Sequence, residues 1–179
     1  MVRESMQLQS YIRDIPDFPK RGIVFKDITT LLKNPDAYRY AIQKLAEPYK
    51  NSGITKVVGI ESRGYILGAA IADELHAGFV PIRKAGKLPA ETIKAIYSLE
   101  YGADSIEIHK DALTPNDIVL LHDDLLATGG TMEAAIQLVK TLGATIEGIC
   151  FLIELSSLNG REKLSPYRVH TLIQDASSE

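Results

Sequence analysis

Two hydrophobic periods share this chain. Short apolar runs rich in β-branched residues recur at Ile54–Ile60, Gly78–Arg83, Ile118–Leu121, Thr145–Leu155 and Tyr167–Ile173. Their length and composition predict buried strands. Between them the apolar positions space out at three and four. Asn34 and Pro35 open one such stretch as cap and first-turn proline, and it ends near Gly53. Arg63–Gly78 predicts a second helix, with Gly68, Ala69 and Ala72 as a small-residue face for the sheet. Met132, Ala135, Ile136, Val139 and Leu142 predict a third, stopped by Lys140 and Gly143. Ala95–His109 predicts two antiparallel strands around Gly102; residues 3–13 predict a short helix; residues 15–32 predict a proline-punctuated extended segment. Strands alternating with helices predict an α/β fold, a mainly parallel sheet with helices on both faces. Ligands in such folds sit at the C-terminal strand ends.

One such end carries unusual chemistry. After Ile118–Leu121 come His122, the acids Asp123 and Asp124, and then Ala127-Thr128-Gly129-Gly130-Thr131 at the start of a helix. A helix N-terminus presents unpaired N–H groups and roughly half a positive charge, so phosphate binds there. The glycines allow close backbone approach, and the threonines add hydroxyl donors. No lysine follows the glycines, so this is not a nucleoside-triphosphate loop, and the spacing is not that of a dinucleotide loop. Two like charges at about 4 Å and an effective dielectric near 20 repel by about 4 kcal/mol. A phosphate beside Asp123 and Asp124 therefore needs donors or cations between. A sugar phosphate meets both demands, with phosphate on the loop and hydroxyls on the acids. The same acids would favour positive charge developing on the sugar ring.

Three clusters lie at comparable positions. Glu61-Ser62-Arg63-Gly64 opens a helix, and Arg63 could fork onto a phosphate. Arg83, Lys84 and Lys87 place three cations within five residues of a loop holding Gly86 and Pro89. Glu100-Tyr101-Gly102 marks a hairpin tip. No histidine pair has metal-ligand spacing, and His122 reads as structural.

Composition narrows the classes. A chain of 179 residues suits one domain, and a net charge of −3 disfavours a nucleic-acid binder. The single cysteine, Cys150, excludes an intrachain disulfide and a cysteine zinc site, and reads as a buried small hydrophobe. Without a signal-peptide core or an apolar run of membrane-spanning length, the expectation is a cytoplasmic protein with no membrane partner.

Together, "VLLHDDLLATGGT", "RKAGKLP", "SLEYGADSIEIH", "ESRG" and "DFPKRGIVFKDIT" resemble the adenine-specific branch of the type I phosphoribosyltransferases, from about Gln7 to Lys163. The resemblance implies that family's fold, with 1–179 as one domain, an N-terminal hood at about 1–33 and a mobile flap at about 85–102. It implies transfer of phosphoribose from 5-phosphoribosyl 1-pyrophosphate to adenine in purine salvage, giving AMP and pyrophosphate, in a homodimer. Mg²⁺ would ride mainly on the donor, with no dedicated protein site. By the same resemblance Ala127, Thr128, Gly129, Gly130 and Thr131 would hold the 5′-phosphate, and Asp123 and Asp124 the ribose hydroxyls. Arg63, Arg83 and Lys87 would handle pyrophosphate, one of them from a partner subunit. Val24, Phe25 and Lys26 would bind adenine, Val24 through its backbone and Phe25 by stacking. Glu100 would transfer the proton, with Tyr101 beside it on the flap. The family often has a non-proline cis peptide in the Glu61–Arg63 loop. Three positions depart from its pattern: His122 replaces an aliphatic residue, Lys26 an arginine, and Ala85 an arginine or proline. Two alternatives share the fold: a transferase for another purine base, and a non-catalytic regulator that senses the donor.

Overall fold

The computed structural model describes residues 6–99 and 102–176. Of the helix expected over 3–13, the described residues form a 3-10 turn at Leu8–Tyr11, followed by β1 (Arg13–Pro16). Pro16 disfavours helical backbone at Ile15, and strand pairing takes over. β1 lies antiparallel to β2 (Val24–Asp27), with Arg13 opposite Asp27 and joined to its Oδ2 at 2.5 and 3.0 Å. The extended segment expected over 15–32 is thus the rest of a hairpin plus a short helix, α1 (Thr29–Leu32). Asp27 Oδ1 accepts the Thr29 N–H at its start, at 2.9 Å.

α2 (Pro35–Ala46) begins where the cap signal placed it: Asn34 Oδ1 accepts the N–H groups of Asp36 and Ala37 at 3.1 and 3.0 Å. β3 (Lys56–Ile60), α3 (Gly64–Glu74) and β4 (Gly78–Lys84) form a parallel crossover unit. β5 (Thr92–Leu99) and β6 (Gly102–His109) form the expected hairpin. β7 (Ile118–Leu126), α4 (Gly130–Thr141), β8 (Thr145–Leu155) and β9 (Val169–Asp175) complete the chain.

The main sheet runs β5-β6-β4-β3-β7-β8-β9. The five strands from β4 to β9 are parallel, and the hairpin joins antiparallel beside β4. α4 covers one face, packing Met132, Ala135 and Val139 with Val58, Leu121 and Phe151. α2 and α3 cover the other, packing Ala41, Leu45, Leu67 and Ile71 with Val57, Leu120 and Leu152. The small-residue face of α3 is Gly64, Gly68 and Ala72; Ala69 points to solvent. These three recur every four residues and so share a stripe. A Cβ on Gly68 would sit 3.1 Å from the Phe79 ring and 3.4 Å from His122, which sets how close α3 lies to the sheet.

The crossovers run in opposite directions from the β3/β7 boundary. The loops leaving these two strands part there and leave a crevice at their C-terminal ends.

Candidate active site

That crevice is a cavity of about 360 Å³, walled by Glu61–Arg63 after β3, Asp123–Met132, Tyr97 of β5, Ile60 and Phe151. It gathers the acid pair and the whole Ala127–Thr131 loop. Arg63 joins them directly; Arg83 and Lys87 do not line it.

The sequence suggested that the strand ends before the acids. Instead β7 continues through Leu126, because Asp123 pairs with Phe151, Leu125 with Ile153 and Leu126 with Glu154 of β8. Strand geometry therefore fixes both acids. Asp123 Oδ1 accepts the Asp124 N–H at 2.9 Å. Asp124 is buried, and Arg63 Nε stands 2.9 Å from its Oδ2. The guanidinium is off-axis, so this is an ion pair, and Oδ2 receives no hydrogen bond from the described residues. Burial and the neighbouring Asp124 charge push the Asp123 carboxyl well above its ordinary range. Burial also raises Asp124, with Arg63 opposing it.

The loop is built around Gly129, which caps α4 at φ +83° and presses its backbone onto Gly160, so that a Cβ would stand 2.6 Å from the Gly160 carbonyl oxygen. Glycine is required there twice over, by φ and by space. Gly129 has no side chain to cap α4, so first-turn N–H groups are left without a side-chain acceptor beside a cavity that Gly130, Thr131 and Met132 line, a setting suited to an anion.

Arg63 ties the first hairpin to this site. Its Nη1 donates to the Lys26 carbonyl at 3.2 Å, and its guanidinium lies 4.8 Å from the Phe25 ring centroid. Phe18 meets Phe25 edge-on at 5.2 Å, and Val24 is partly exposed beside it. The Lys26 ammonium is buried and turns away, 3.0 Å from the exposed Asp14 and bonded to the buried Asp175. The Lys26 backbone faces Arg63, and its side chain joins the hairpin to β9.

Glu61 holds the cations of the next loop. Its carboxylate accepts from Lys87 Nζ at 2.8 Å, from the Lys84 N–H at 3.0 Å and from Arg83 Nε at 3.3 Å. Burial pulls its pKa up, but these three partners prevail and hold it at about 2. Arg83 and Lys87 thus touch the cavity through Glu61. The Glu61-Ser62 peptide is cis.

Two contributors were missed from sequence. Glu61 was named only as part of a cluster. No local motif singles out Tyr97, although Ile93, Ala95 and Tyr97 alternate with exposed Ile96 and so share the inward face. The Tyr97 hydroxyl donates to Asp104 Oδ2 at 3.2 Å, and Tyr97 lines the cavity together with Thr131. His122, flagged as a departure, is fully buried; its Nδ1 donates to the Cys150 carbonyl at 3.0 Å, and burial lowers its pKa to about 4. Glu100 and Tyr101 lie outside the described residues. Among the described residues, no three His, Cys, Asp or Glu side chains converge as metal ligands, and no helix is long and apolar enough to cross a membrane.

Residues 27–178 match the phosphoribosyl transferase domain family, which spans most of the chain. The chain belongs to that family. This phosphoribosyltransferase is 57% identical over 170 residues to an adenine phosphoribosyltransferase of Halothermothrix orenii, covering 95% of this chain and 100% of that one. Its fold is similar to the crystal structure of adenine phosphoribosyltransferase from Rhodothermus marinus, at TM-score 0.91 and 55% identity, over 94% of this chain and 96% of that one. It is also similar to the Giardia lamblia enzyme complexed with 9-deazaadenine, at TM-score 0.90 and 45% identity, over 95% and 97% of the two chains. The parallel sheet, the flanking helices and the edge hairpin are those of a type I phosphoribosyltransferase.

Proposed function

We propose that this enzyme transfers the phosphoribosyl group of 5-phosphoribosyl 1-pyrophosphate to adenine, giving AMP and pyrophosphate in purine salvage. The observation that carries the reading is the juxtaposition in one cavity of the Asp123–Asp124 pair, whose Asp124 Oδ2 has the Arg63 ion pair but no hydrogen bond, with an uncapped helix start behind Gly129. A ribose hydroxyl supplies the proton that Asp124 Oδ2 lacks, and the 5′-phosphate of the same molecule takes the N–H groups of residues 128–131. The opposing demands of acid and anion site are met by the two ends of one sugar phosphate.

In this reading the C1′–pyrophosphate bond breaks, C1′ bonds a base nitrogen, and that nitrogen's proton leaves. Asp123 and Asp124 favour the positive charge that builds on the ring. Arg63, Arg83 and Lys87 receive the pyrophosphate. To do so Arg63 leaves Asp124 and the Phe25 face, and the other two leave Glu61, so diphosphate competes with carboxylates already in place. Val24 reads the base edge through its backbone and Phe25 stacks on it. A 6-oxo purine exchanges donor for acceptor at that edge, and the unpaired groups give the selectivity. Glu100 serves as the proton-transfer group and Tyr101 lies beside it, on a flap over about 85–102 that closes to exclude water; residues of about 1–33 form the hood.

In this reading Mg²⁺ would be carried in mainly on the donor, whose ribose end lies beside the hard oxygen donors Asp123 and Asp124. Its chemistry is to neutralise the departing pyrophosphate. We further read the enzyme as a homodimer in which a partner subunit supplies one pyrophosphate cation, which accords with Arg83 and Lys87 standing off the cavity wall. We also read the reaction as cytoplasmic, where a phosphorylated donor that cannot cross a bilayer unaided would be retained.

The test is AMP formation from adenine, donor and Mg²⁺, with hypoxanthine, guanine and uracil in parallel. Product from adenine alone is expected. Product from a 6-oxo purine at a comparable rate overturns the backbone reading by Val24, and no product from any base overturns the enzyme reading.

A further inference from the structure

The phosphate loop does not stand by itself. Its backbone lies directly on a second corner of the chain, Asn159-Gly160-Arg161, which has no part in the reading above. A Cβ on Gly160 would stand 2.0 Å from the Ala127 carbonyl oxygen and 3.0 Å from the Gly129 nitrogen. In return, a Cβ on Gly129 would meet the Gly160 carbonyl oxygen. The two backbones are in contact from both sides, with no side chain between them.

The corner is held rigidly. Asn159 adopts the left-handed conformation at φ 52°, and Leu164, at the end of the 3-10 turn Gly160–Leu164, is fully buried in the α4 core. Arg161 forks onto Glu154, at 2.9 Å through Nε and 2.5 Å through Nη2. Its Nη1 donates to the Val169 carbonyl at 2.9 Å, and Nη2 to the Thr171 hydroxyl at 3.2 Å. Glu154 is buried and lies in register with Leu126, the last residue of β7 before the loop. The clamp therefore grips the sheet at the level where the loop leaves it. Bidentate Arg–carboxylate geometry fixes orientation as well as distance.

We propose that Gly160 is a positioning residue for the donor's 5′-phosphate: the clamped corner forms a floor that sets the height of the loop N–H groups, and Gly160 is the only residue type that lets the loop rest on it. This rests on the assignment of residues 127–131 to the phosphate. An added methyl must push Ala127 back by about 1.4 Å, from 2.0 Å to an ordinary contact near 3.4 Å, and a misplacement of even about 1 Å costs up to about 100-fold where oriented groups are concerned.

The experiment compares binding of AMP with adenosine, which differ only by the 5′-phosphate, and of pyrophosphate as a control for the other subsite. Wild type, Gly160→Ala and Arg161→Lys are measured by calorimetry. Arg161→Lys keeps the charge and removes the fork without adding an atom, so it reports even if Gly160→Ala does not fold. The expected result is that the AMP preference over adenosine falls about tenfold or more in Gly160→Ala and less in Arg161→Lys, while pyrophosphate affinity stays within twofold. In turnover, KM for the donor rises with KM for adenine unchanged. Should wild type bind AMP no more tightly than adenosine, the phosphate assignment itself falls, and the floor with it. Should wild type prefer AMP and the folded variants keep that preference, or lose pyrophosphate affinity in step, the floor is wrong and the assignment stands.

Discussion

Replacing Asp123 by Asn is expected to stabilise the unliganded enzyme while disabling it. Asp123 Oδ1 accepts the Asp124 N–H, and the Asn oxygen can keep that bond. What changes is charge. Burial, and then the adjacent Asp124, hold the Asp123 carboxyl well above its ordinary range, so its ionised form is penalised in the folded state. As a scale, two like unit charges at roughly 5 Å and an effective dielectric near 20 repel by about 3 kcal/mol. Arg63 beside Asp124 offsets part of this, leaving a net gain of about 1–2 kcal/mol. For a domain of this size that is roughly 2–8 °C in Tm. The sign follows from proton linkage. The unfolded chain releases the Asp proton near pH 4, before the folded protein does. Wild-type stability therefore declines as pH rises from about 4 through the raised folded value, then levels off. The Asn variant lacks this decline. Thermal unfolding of both proteins from about pH 4.5 to 8 should show melting points that nearly coincide at the acid end and diverge upward, with Asn the higher. AMP formation should fall by about 100-fold or more, since the group facing the developing positive charge is neutralised. An Asn variant that melts at or below wild type at about pH 8 refutes the reasoning, because the carboxylate would then be paid no penalty by the fold.

His122→Leu should flatten acid sensitivity: burial holds the imidazole at about 4, so wild type loses about 3 kcal/mol as pH falls from about 6.5 to 4. Urea unfolding at several pH values measures this, and an unchanged slope would show that the ring is not kept neutral. Glu61→Gln should free Arg83 and Lys87 and strengthen inhibition by pyrophosphate about threefold to tenfold, the scale of partly exposed ion pairs; an unchanged inhibition constant would mean that Glu61 does not compete. Glu100→Gln should lower turnover by about 100-fold, the usual scale of proton-transfer catalysis, with donor affinity nearly intact by calorimetry. Collapse of donor affinity would remove Glu100 from that role.

Local signals carried most of the elements. Asn34 and Pro35 started α2 where they stood, and the apolar run Thr145–Leu155 became β8 with the same bounds. The acid pair, the Gly/Thr loop and Arg63 were legible as a site because they follow strands whose ends the topology brings side by side. The N-terminal helix failed because an amphipathic pattern of so few residues yields to strand pairing and to Arg13–Asp27. The end of β7 was missed because acids read as strand breakers, while their pairing with β8 cannot be seen along the chain. Ala69 was grouped with Gly68 by size, although a step of one residue turns about 100° around a helix.

By itself, the sequence determined what depends on neighbours along the chain: the caps, the periods, the glycine at the head of α4, and the chemistry available at each strand end. Tertiary structure decided the partners. Arg63 sits on Asp124 and over Phe25 rather than free for phosphate, and the Lys26 ammonium is spent on Asp14 and Asp175. Arg83 and Lys87 reach the cavity only through Glu61, and the Ala127–Thr131 loop rests on Gly160. Each of these joins residues distant in sequence. Charges and backbones choose partners by distance in space, and the order of strands across the sheet, which no local pattern encodes, sets those distances.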